Sequence, residues 1–293
     1  MEESITTSAF NLVNSENIYF SVELSDLRVE NHTVDGFTAV YRPDIQKTLA
    51  IHRDGYSLLP NESIYPVFEE ALESSELNTN GMQSFFELCC NGAKTVGHYI
   101  FPAHMVEPFP GEKIYLHLKL ISTYDGSLPL SSSASGWDMN ANIGIVFSDS
   151  ETHKYGKKSN RQIRRDTIVN TVNLDLRSFI KESQLWEYWA HLPVSENNVN
   201  DVGYLLCLVK NKNNIQSKHT HRAKVKLLEL YRQEKRHYGA TAWSLVKALN
   251  KWVYCSQFRK DALQNKATTI LGRENKIIDI LNHAHIMDLG QDF

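Results

Sequence analysis

The spacing of apolar residues changes at about residue 165, and this change restricts the folds open to the chain. Before it, apolar and polar residues alternate, most clearly over residues 113–120, where Ile114, Leu116 and Leu118 share one side of an extended strand. After it, apolar residues recur every three or four positions, which is the period of an α-helix. We therefore predict an α+β fold, with an antiparallel sheet and one packed helix in the N-terminal half and a mainly helical C-terminal half.

The same patterns predict individual elements. Asn91-Gly92 indicates a hairpin between strands over 85–90 and 95–101, and Asn61 is expected to cap the first helix. The serine-rich segment 131–136 is predicted to be a loop, whereas residues 18–22 and 139–147 are predicted to be strands. Further helices are predicted over 175–191, 195–209, 218–238, 240–255 and 275–287.

Charge is distributed very unevenly along the chain, although the net charge is only −3. Residues 1–150 contain 7 Lys/Arg and 20 Asp/Glu, and residues 151–293 contain 24 and 14, so the two parts carry −13 and +10. We expect an acidic domain over 1–165 and a basic portion over 166–293, which could also form one continuous domain. The basic part could bind a polyanion, or the two parts could attract each other or neighbouring copies.

Two segments concentrate the positive charge and supply the predicted nucleic-acid-binding residues. In the first, over 153–165, Tyr155 is the candidate for stacking on a base. In the second, over 210–237, the spacing of four residues places Lys218, Arg222 and Lys226 on one helix face. Such cations would release counterions from phosphates and give salt-sensitive binding, although a solvated helix face is the alternative. The predicted basic residues are Lys154, Lys157, Lys158, Arg161, Arg164, Arg165, Lys218, Arg222 and Lys226.

Large aromatic residues occur in pairs in two of the predicted helices. Trp186 and Trp189 lie on either side of Tyr188, and Trp243 and Trp252 share a later helix with Tyr254. Aromatic residues at helical spacing are typical of a core, but exposed rings also stack on unpaired bases. We expect the tryptophans to belong to the core, and Tyr124, beside the Asp125-Gly126 turn, to be exposed.

The sequence contains none of the common catalytic or cofactor motifs. There is no P-loop, dinucleotide fingerprint or nucleophile elbow. The spacings His219/His221 and His283/His285 do not match a zinc site. We therefore predict a non-enzymatic protein with no cofactor and no metal. The four cysteines, the acidic start and the lack of a long apolar run favour the cytoplasm, with no contact with a membrane.

Three segments carry a resemblance to a known family. They are Gly55-Tyr-Ser-Leu-Leu-Pro-Asn-Glu62, Ser122-Thr-Tyr-Asp-Gly-Ser127 and the stretch from Gly239 to Val253. Together with Asn142-Ile-Gly144 and His153-Lys154, they resemble an uncharacterised family found on bacteriophages, prophages and plasmids. That family often has a cysteine where this chain has Ala141. The resemblance covers about residues 36–255, and it implies a mobile-element protein in a bacterial host but no particular activity.

These observations lead to a principal hypothesis and two alternatives. The principal hypothesis is a bacteriophage protein that binds nucleic acid in replication or recombination, and single-stranded DNA is the form that we expect it to bind. The first alternative is an anti-defence protein whose acidic surface binds and inhibits a host defence protein. The second is a scaffold in which oppositely charged halves drive head-to-tail assembly, and a homo-oligomer is expected.

Overall fold

The structure is a computed structural model that describes residues 12–13, 15–30, 32–147, 152–155, 164–207, 218–255 and 266–282. Strands dominate before residue 155 and helices after residue 164. The predicted α+β class is therefore confirmed, as is the division into a sheet-rich N-terminal half and a helical C-terminal half. None of the described helices is both long enough and apolar enough to cross a bilayer.

Within the described ranges, ten strands form two antiparallel sheets. Their bounds are β1 Leu12–Val13, β2 Glu23–Val29, β3 His32–Arg42, β4 Lys47–Arg53, β5 Gln83–Cys89, β6 Lys94–Val106, β7 Ile114–Thr123, β8 Ser131–Asp138, β9 Ile143–Ile145 and β10 Thr152–Lys154. The larger sheet has the order β1-β5-β6-β7-β8-β10, and β9 pairs with the C-terminal half of β8. The smaller sheet has the order β2-β3-β4. The hairpin predicted at Asn91-Gly92 is confirmed as β5–β6.

The described helices are α1 Tyr65–Glu73, α2 Arg165–His191, α3 Glu196–Cys207, α4 Lys218–Tyr238, α5 Ala242–Cys255 and α6 Lys266–Leu281. The bounds predicted for α4 are confirmed. In contrast, the helix predicted over 175–191 already begins at Arg165 as α2. Ile168 and Val172 extend its buried side into a segment that is otherwise polar. The last helix was predicted over 275–287 but already begins at Lys266, where buried Ala267 and Ile270 start its apolar side.

The larger sheet is covered on both faces. On one face, an added Cβ at Gly97 would contact Tyr65 of α1, and one at Gly136 would contact Trp186 of α2. The other face meets α6, because Lys119 of β7 forms an ion pair with Glu274. One apolar core contains residues from the sheet and from each of the six described helices. A layer of helices on each side explains why most of β6, β7 and β8 is buried.

The segment 131–136 is not a loop, and this prediction was wrong. It forms most of β8, an inner strand that pairs with β7 on one side and with β9 and β10 on the other. Serine and glycine have low strand propensity, but this position requires small side chains. A Cβ at Gly136 would lie 2.5 Å from Ile114 and 2.8 Å from Trp186. Close packing between neighbouring elements therefore overrides the local signal.

Several smaller predictions also need correction. Residues 15–18 form a 3₁₀ helix, and the strand expected at 18–22 begins only at Glu23. The strand expected over 139–147 is limited to β9. Asn61 does not cap α1 but is completely buried. Tyr124 is only 3% exposed, because its ring packs against Phe20 and its hydroxyl accepts a hydrogen bond from the Asn61 amide.

Candidate nucleic-acid interface

The first predicted basic segment is described only at its two ends. Lys157, Lys158 and Arg161 lie outside the described residues. Lys154 ends β10 and is exposed. Arg164 and Arg165 are exposed at the start of α2, and Arg165 donates hydrogen bonds to the Ser74 hydroxyl and the Glu70 carbonyl next to α1. Arg165 therefore links α2 to α1 as well as contributing surface charge.

Tyr155 is held more firmly than a surface stacking residue. Its ring is half-buried against the core, and its hydroxyl lies 2.5 Å from the Ser132 hydroxyl. Burial is the main cause that raises the pKa of Tyr155 to about 12. The Tyr155 side chain therefore links the end of β10 to β8. Only the exposed part of its ring is available for stacking on a base.

The second predicted segment forms a helix with one buried and one solvent-facing side. Leu227, Leu230 and Tyr231 of α4 are buried, whereas Arg222 is exposed and Lys226 is half-exposed. Arg222 and Lys226 thus share the solvent side, as their spacing predicts. Lys218 begins the helix, but its side chain lies outside the described residues.

The solvent side of α4 continues through two arginines that were not among the predicted site residues. Arg232 and Arg236 are exposed, and they continue the steps of three or four residues that start at Arg222 when Glu229, midway between Lys226 and Arg232, is counted. That continuing period was the signal available in the sequence. We call Arg222, Lys226, Arg232 and Arg236 the α4 basic face. It extends for about 21 Å along the helix, at 1.5 Å per residue.

Two of these four cations have carboxylate partners. Lys226 lies 3.1 Å from Glu229, and Arg232 lies 2.7 Å from Glu196. Hydrogen bonds from Arg232 lower the pKa of Glu196 below its ordinary value. Within the described ranges, no carboxylate pairs with Arg222 or Arg236. Exposed pairs of this kind contribute little to stability, so a phosphate can replace either carboxylate at small cost.

The described parts of the two basic segments belong to different elements, β10 and the start of α2 for the first and α4 for the second. Arg165 begins α2, which has 27 residues and is therefore about 40 Å long. The opposite end of α2 meets the junction between α4 and α5, where the Leu192 carbonyl accepts a 2.8 Å hydrogen bond from the Ala242 amide. In the part of the chain that is described, no contact joins Arg164 or Arg165 to the α4 basic face.

Some of the opposite charge in the two halves is neutralised inside the molecule. Lys247 of α5 is 1% exposed and forms ion pairs with Glu112 and Asp138 from the first half. Glu112 also accepts hydrogen bonds from the indole of Trp243 and the hydroxyl of Tyr238. This cluster fixes the β6–β7 connection and the end of β8 to α4 and α5. The net charge of +10 calculated for residues 151–293 therefore includes a buried cation that cannot contribute to a binding surface.

The aromatic residues separate into a buried and an exposed group. Trp186, Trp189 and Trp243 are at most 2% exposed, which confirms that they belong to the core, whereas Trp252 is half-buried and packs against the edge of that core. Tyr188 lies on the same helix as the first two but is 58% exposed. Exposure, rather than residue type or spacing, therefore singles out Tyr188 as the aromatic residue of α2 that is open to a ligand.

A buried chain of polar side chains crosses four strands of the larger sheet. The Ser135 hydroxyl lies 2.7 Å from Nδ1 of His117, whose Nε2 lies 2.9 Å from Nδ1 of His98. Nε2 of His98 lies 3.1 Å from Glu87. Burial, with smaller contributions from His98 and Lys119, lowers the pKa of His117 well below its usual value. None of the four side chains is more than 6% exposed, so Ser135 has no open approach for a substrate.

Metal binding receives no support from the described residues. No group of three or more His, Cys, Asp or Glu side chains among them could hold a metal ion. The His283/His285 pair and the side chains of His219 and His221 lie outside the described residues.

The segments that carry the family resemblance meet in pairs inside the protein. The Asn61 amide group donates hydrogen bonds to the Ile18 carbonyl and the Thr95 hydroxyl, and its oxygen accepts one from Ser122. In the same way, Asn250 accepts a 2.9 Å hydrogen bond from the Val146 amide, close to the 142–144 segment. These motif residues hold the fold together.

Comparison with known proteins adds no relative. No protein-family model, curated protein or solved structure matches the chain. The resemblance to the phage and plasmid family therefore stays a prediction.

Proposed function

We propose that the protein binds nucleic acid, single-stranded DNA in particular, through the α4 basic face. The observation that supports this most is the exposure of Arg222, Arg232 and Arg236, with half-exposed Lys226, along one side of a single helix. Glu229 is the one carboxylate of α4 on that side. A row of cations about 21 Å long matches a polyanion better than it matches an isolated charged ligand.

The physical basis of binding is counterion release. Each phosphate that meets a lysine or arginine releases condensed cations, so the logarithm of the binding constant falls linearly with the logarithm of the salt concentration. For a single strand the slope is about −0.7 per contact, so the four cations predict a slope of about −3. A role in replication or recombination of a mobile element, which rests on the family resemblance, is the context that we propose for this binding.

The alternative of an anti-defence protein with an acidic surface receives less support. Glu112 and Asp138 are buried around Lys247, and Glu76 beside α1 lies 3.1 Å from Arg177. These contacts reduce the negative charge that the first half can present to a basic partner. If the protein bound no nucleic acid, the anti-defence alternative would become the leading hypothesis.

Fluorescence anisotropy of labelled single-stranded DNA, titrated at several salt concentrations between about 50 and 200 mM, tests the proposal. The charge-removing variant Arg222→Gln/Arg236→Gln should bind more weakly and reduce the steepness of the salt slope by about 1.4. The matched control is Lys47→Gln/Arg53→Gln, which removes two exposed cations from the smaller sheet and should bind like the wild type. Absence of binding at low salt, or equal losses in the two variants, would overturn the proposal.

A further inference from the structure

An open groove is lined by the C-terminal part of α2 and by the β6–β7 connection, and we call it the Tyr188 groove. Its volume is about 590 Å³, within the range of about 300–1,000 Å³ that is usual for ligand pockets. The ring of Tyr188, which is 58% exposed, belongs to the α2 wall. Pro108 and the more exposed Pro110 belong to the opposite wall. Both walls therefore contribute apolar surface.

Both walls of the Tyr188 groove are attached to the protein core. On the α2 side, Trp189 follows Tyr188 in sequence and is only 2% exposed. On the other side, the ring of Phe109 packs against that of Tyr238 with 5.2 Å between the centroids. The groove is thus already formed before a ligand arrives, which lowers the cost of ordering it on binding.

The groove carries negative charge on both walls. Glu187 on α2 and Glu107 on the β6–β7 connection are exposed carboxylates. The position of Glu107 is fixed by a hydrogen bond that its Oε1 accepts from the Gly111 amide. None of the described residues that line the groove is a lysine or an arginine. The groove therefore repels phosphate and attracts cations.

These groups suit the side chain of an arginine. Its planar guanidinium stacks on aromatic faces and donates paired hydrogen bonds to carboxylates, whereas a lysine ammonium is a compact, strongly hydrated charge. A guanidinium in the groove can therefore use the Tyr188 ring and a carboxylate. An open groove also admits the polypeptide on either side of that arginine, and the exposed amide of Gln184 can bond to its backbone.

We propose that the Tyr188 groove binds an arginine side chain in an exposed segment of a partner protein. The guanidinium stacks on Tyr188 and pairs with Glu187 or Glu107, while the aliphatic part of the side chain contacts Pro110. The ligand is opposite in charge to the one proposed for the α4 basic face. This inference therefore does not depend on nucleic-acid binding.

NMR titration of the isotope-labelled protein with short capped peptides tests the proposal. The probe is a capped tripeptide with arginine between two glycines, and its matched control contains citrulline, which has nearly the same shape but no charge. A pH of about 7.5 keeps histidine side chains mostly uncharged. The arginine peptide should shift the backbone amide signals of Gln184, Tyr188 and Glu107. The citrulline peptide should bind at least about 3-fold more weakly, because it lacks the cation–π contact and the ion pair.

The first variant removes the ring from the groove. Tyr188→Ala should weaken binding of the arginine peptide by about 2-fold to 30-fold, which corresponds to the loss of one cation–π contact. Tyr188→Phe keeps an aromatic face and should bind within about 2-fold of the wild type. The matched control is Leu174→Ala, which removes a similarly exposed side chain of α2 and should leave binding unchanged.

The second variant removes the negative charge of the groove. Glu107→Gln/Glu187→Gln should weaken binding of the arginine peptide by about 2-fold to 30-fold, because two exposed ion pairs are lost. Glutamine at position 107 still has a side-chain oxygen to accept the hydrogen bond from the Gly111 amide. The matched control is Glu70→Gln/Glu73→Gln, which removes two exposed carboxylates of α1 and should bind like the wild type.

Four results would overturn the proposal. The first is equal affinity of the wild type for the arginine and citrulline peptides, and the second is equal affinity of the wild type and Tyr188→Ala for the arginine peptide. The third is tighter binding of the corresponding lysine peptide. The fourth is the absence of shifts at the groove up to about 10 mM arginine peptide. If, in that last case, the wild type self-associates and Glu107→Gln/Glu187→Gln does not, the groove belongs to a second copy of the chain instead.

Discussion

Lys247 and Arg236 are both cations of the C-terminal half, but they lie in opposite environments. Lys247 of α5 is enclosed by Glu112 and Asp138 and is 1% exposed, whereas Arg236 is exposed on α4. The first cation holds the sheet and the helices together, and the second is available to a polyanion. The charge of a segment therefore indicates a function only after its buried cations have been separated from its exposed ones.

The largest effect should come from removing the buried cation. Lys247→Met leaves Glu112 and Asp138 buried without their counter-charge, and the loss of one partner of a buried ion pair costs about 3–5 kcal/mol. Urea denaturation followed by circular dichroism measures the change in the free energy of unfolding. A loss below about 1 kcal/mol would contradict the central role of this cluster in the fold.

Gly136 on β8 tests close packing in the same interior. In Gly136→Ala, the new methyl group would meet Ile114 and Trp186 at less than 3 Å, so we expect a loss of about 1–3 kcal/mol. Gly272→Ala is the control, because a Cβ there has no neighbour within 4 Å. Since Gly272 lies within α6, this control should gain up to about 1 kcal/mol. Equal effects of the two substitutions in urea denaturation would refute this account of β8.

The buried histidine chain should make stability depend on pH. The pKa of His117 is below its ordinary value of 6.5 in the folded protein, so below pH 6.5 the unfolded chain binds a proton that the native state does not. Stability should therefore fall as the pH falls below 6.5, by at most about 1.4 kcal/mol per pH unit for this one group. His117→Gln should flatten the dependence, and the exposed His32→Gln should not. Urea denaturation between about pH 7.5 and about pH 5, which lie about 1 unit above and about 1.5 units below an ordinary histidine pKa, measures this, and an unchanged slope in His117→Gln would count against it.

The smallest effect on stability is expected on the α4 basic face. Arg236→Gln removes an exposed charge, and no described carboxylate pairs with it, so the free energy of unfolding should change by no more than about 0.5 kcal/mol. The same denaturation experiment as for Lys247→Met measures it. A loss comparable to that of Lys247→Met would show that the face has a structural role.

The sequence predicts the fold class and most helices because both depend on the period of apolar residues. It also predicts that Arg222 and Lys226 share a face, since the helical period fixes this without tertiary structure. It does not predict β8, because small serines and Gly136 are required there by Trp186 and Ile114, which are distant in sequence. The sequence does not predict the burial of Lys247 either, because its partners Glu112 and Asp138 lie in the other half of the chain.

The most direct test of the central claim is the salt dependence of single-stranded DNA binding. The wild type should give a slope of about −3, and Arg222→Gln/Arg236→Gln should reduce it by about 1.4, while Lys47→Gln/Arg53→Gln leaves it unchanged. Binding that does not respond to salt, or a slope that is the same in all three proteins, would contradict the assignment of nucleic-acid binding to the exposed side of α4.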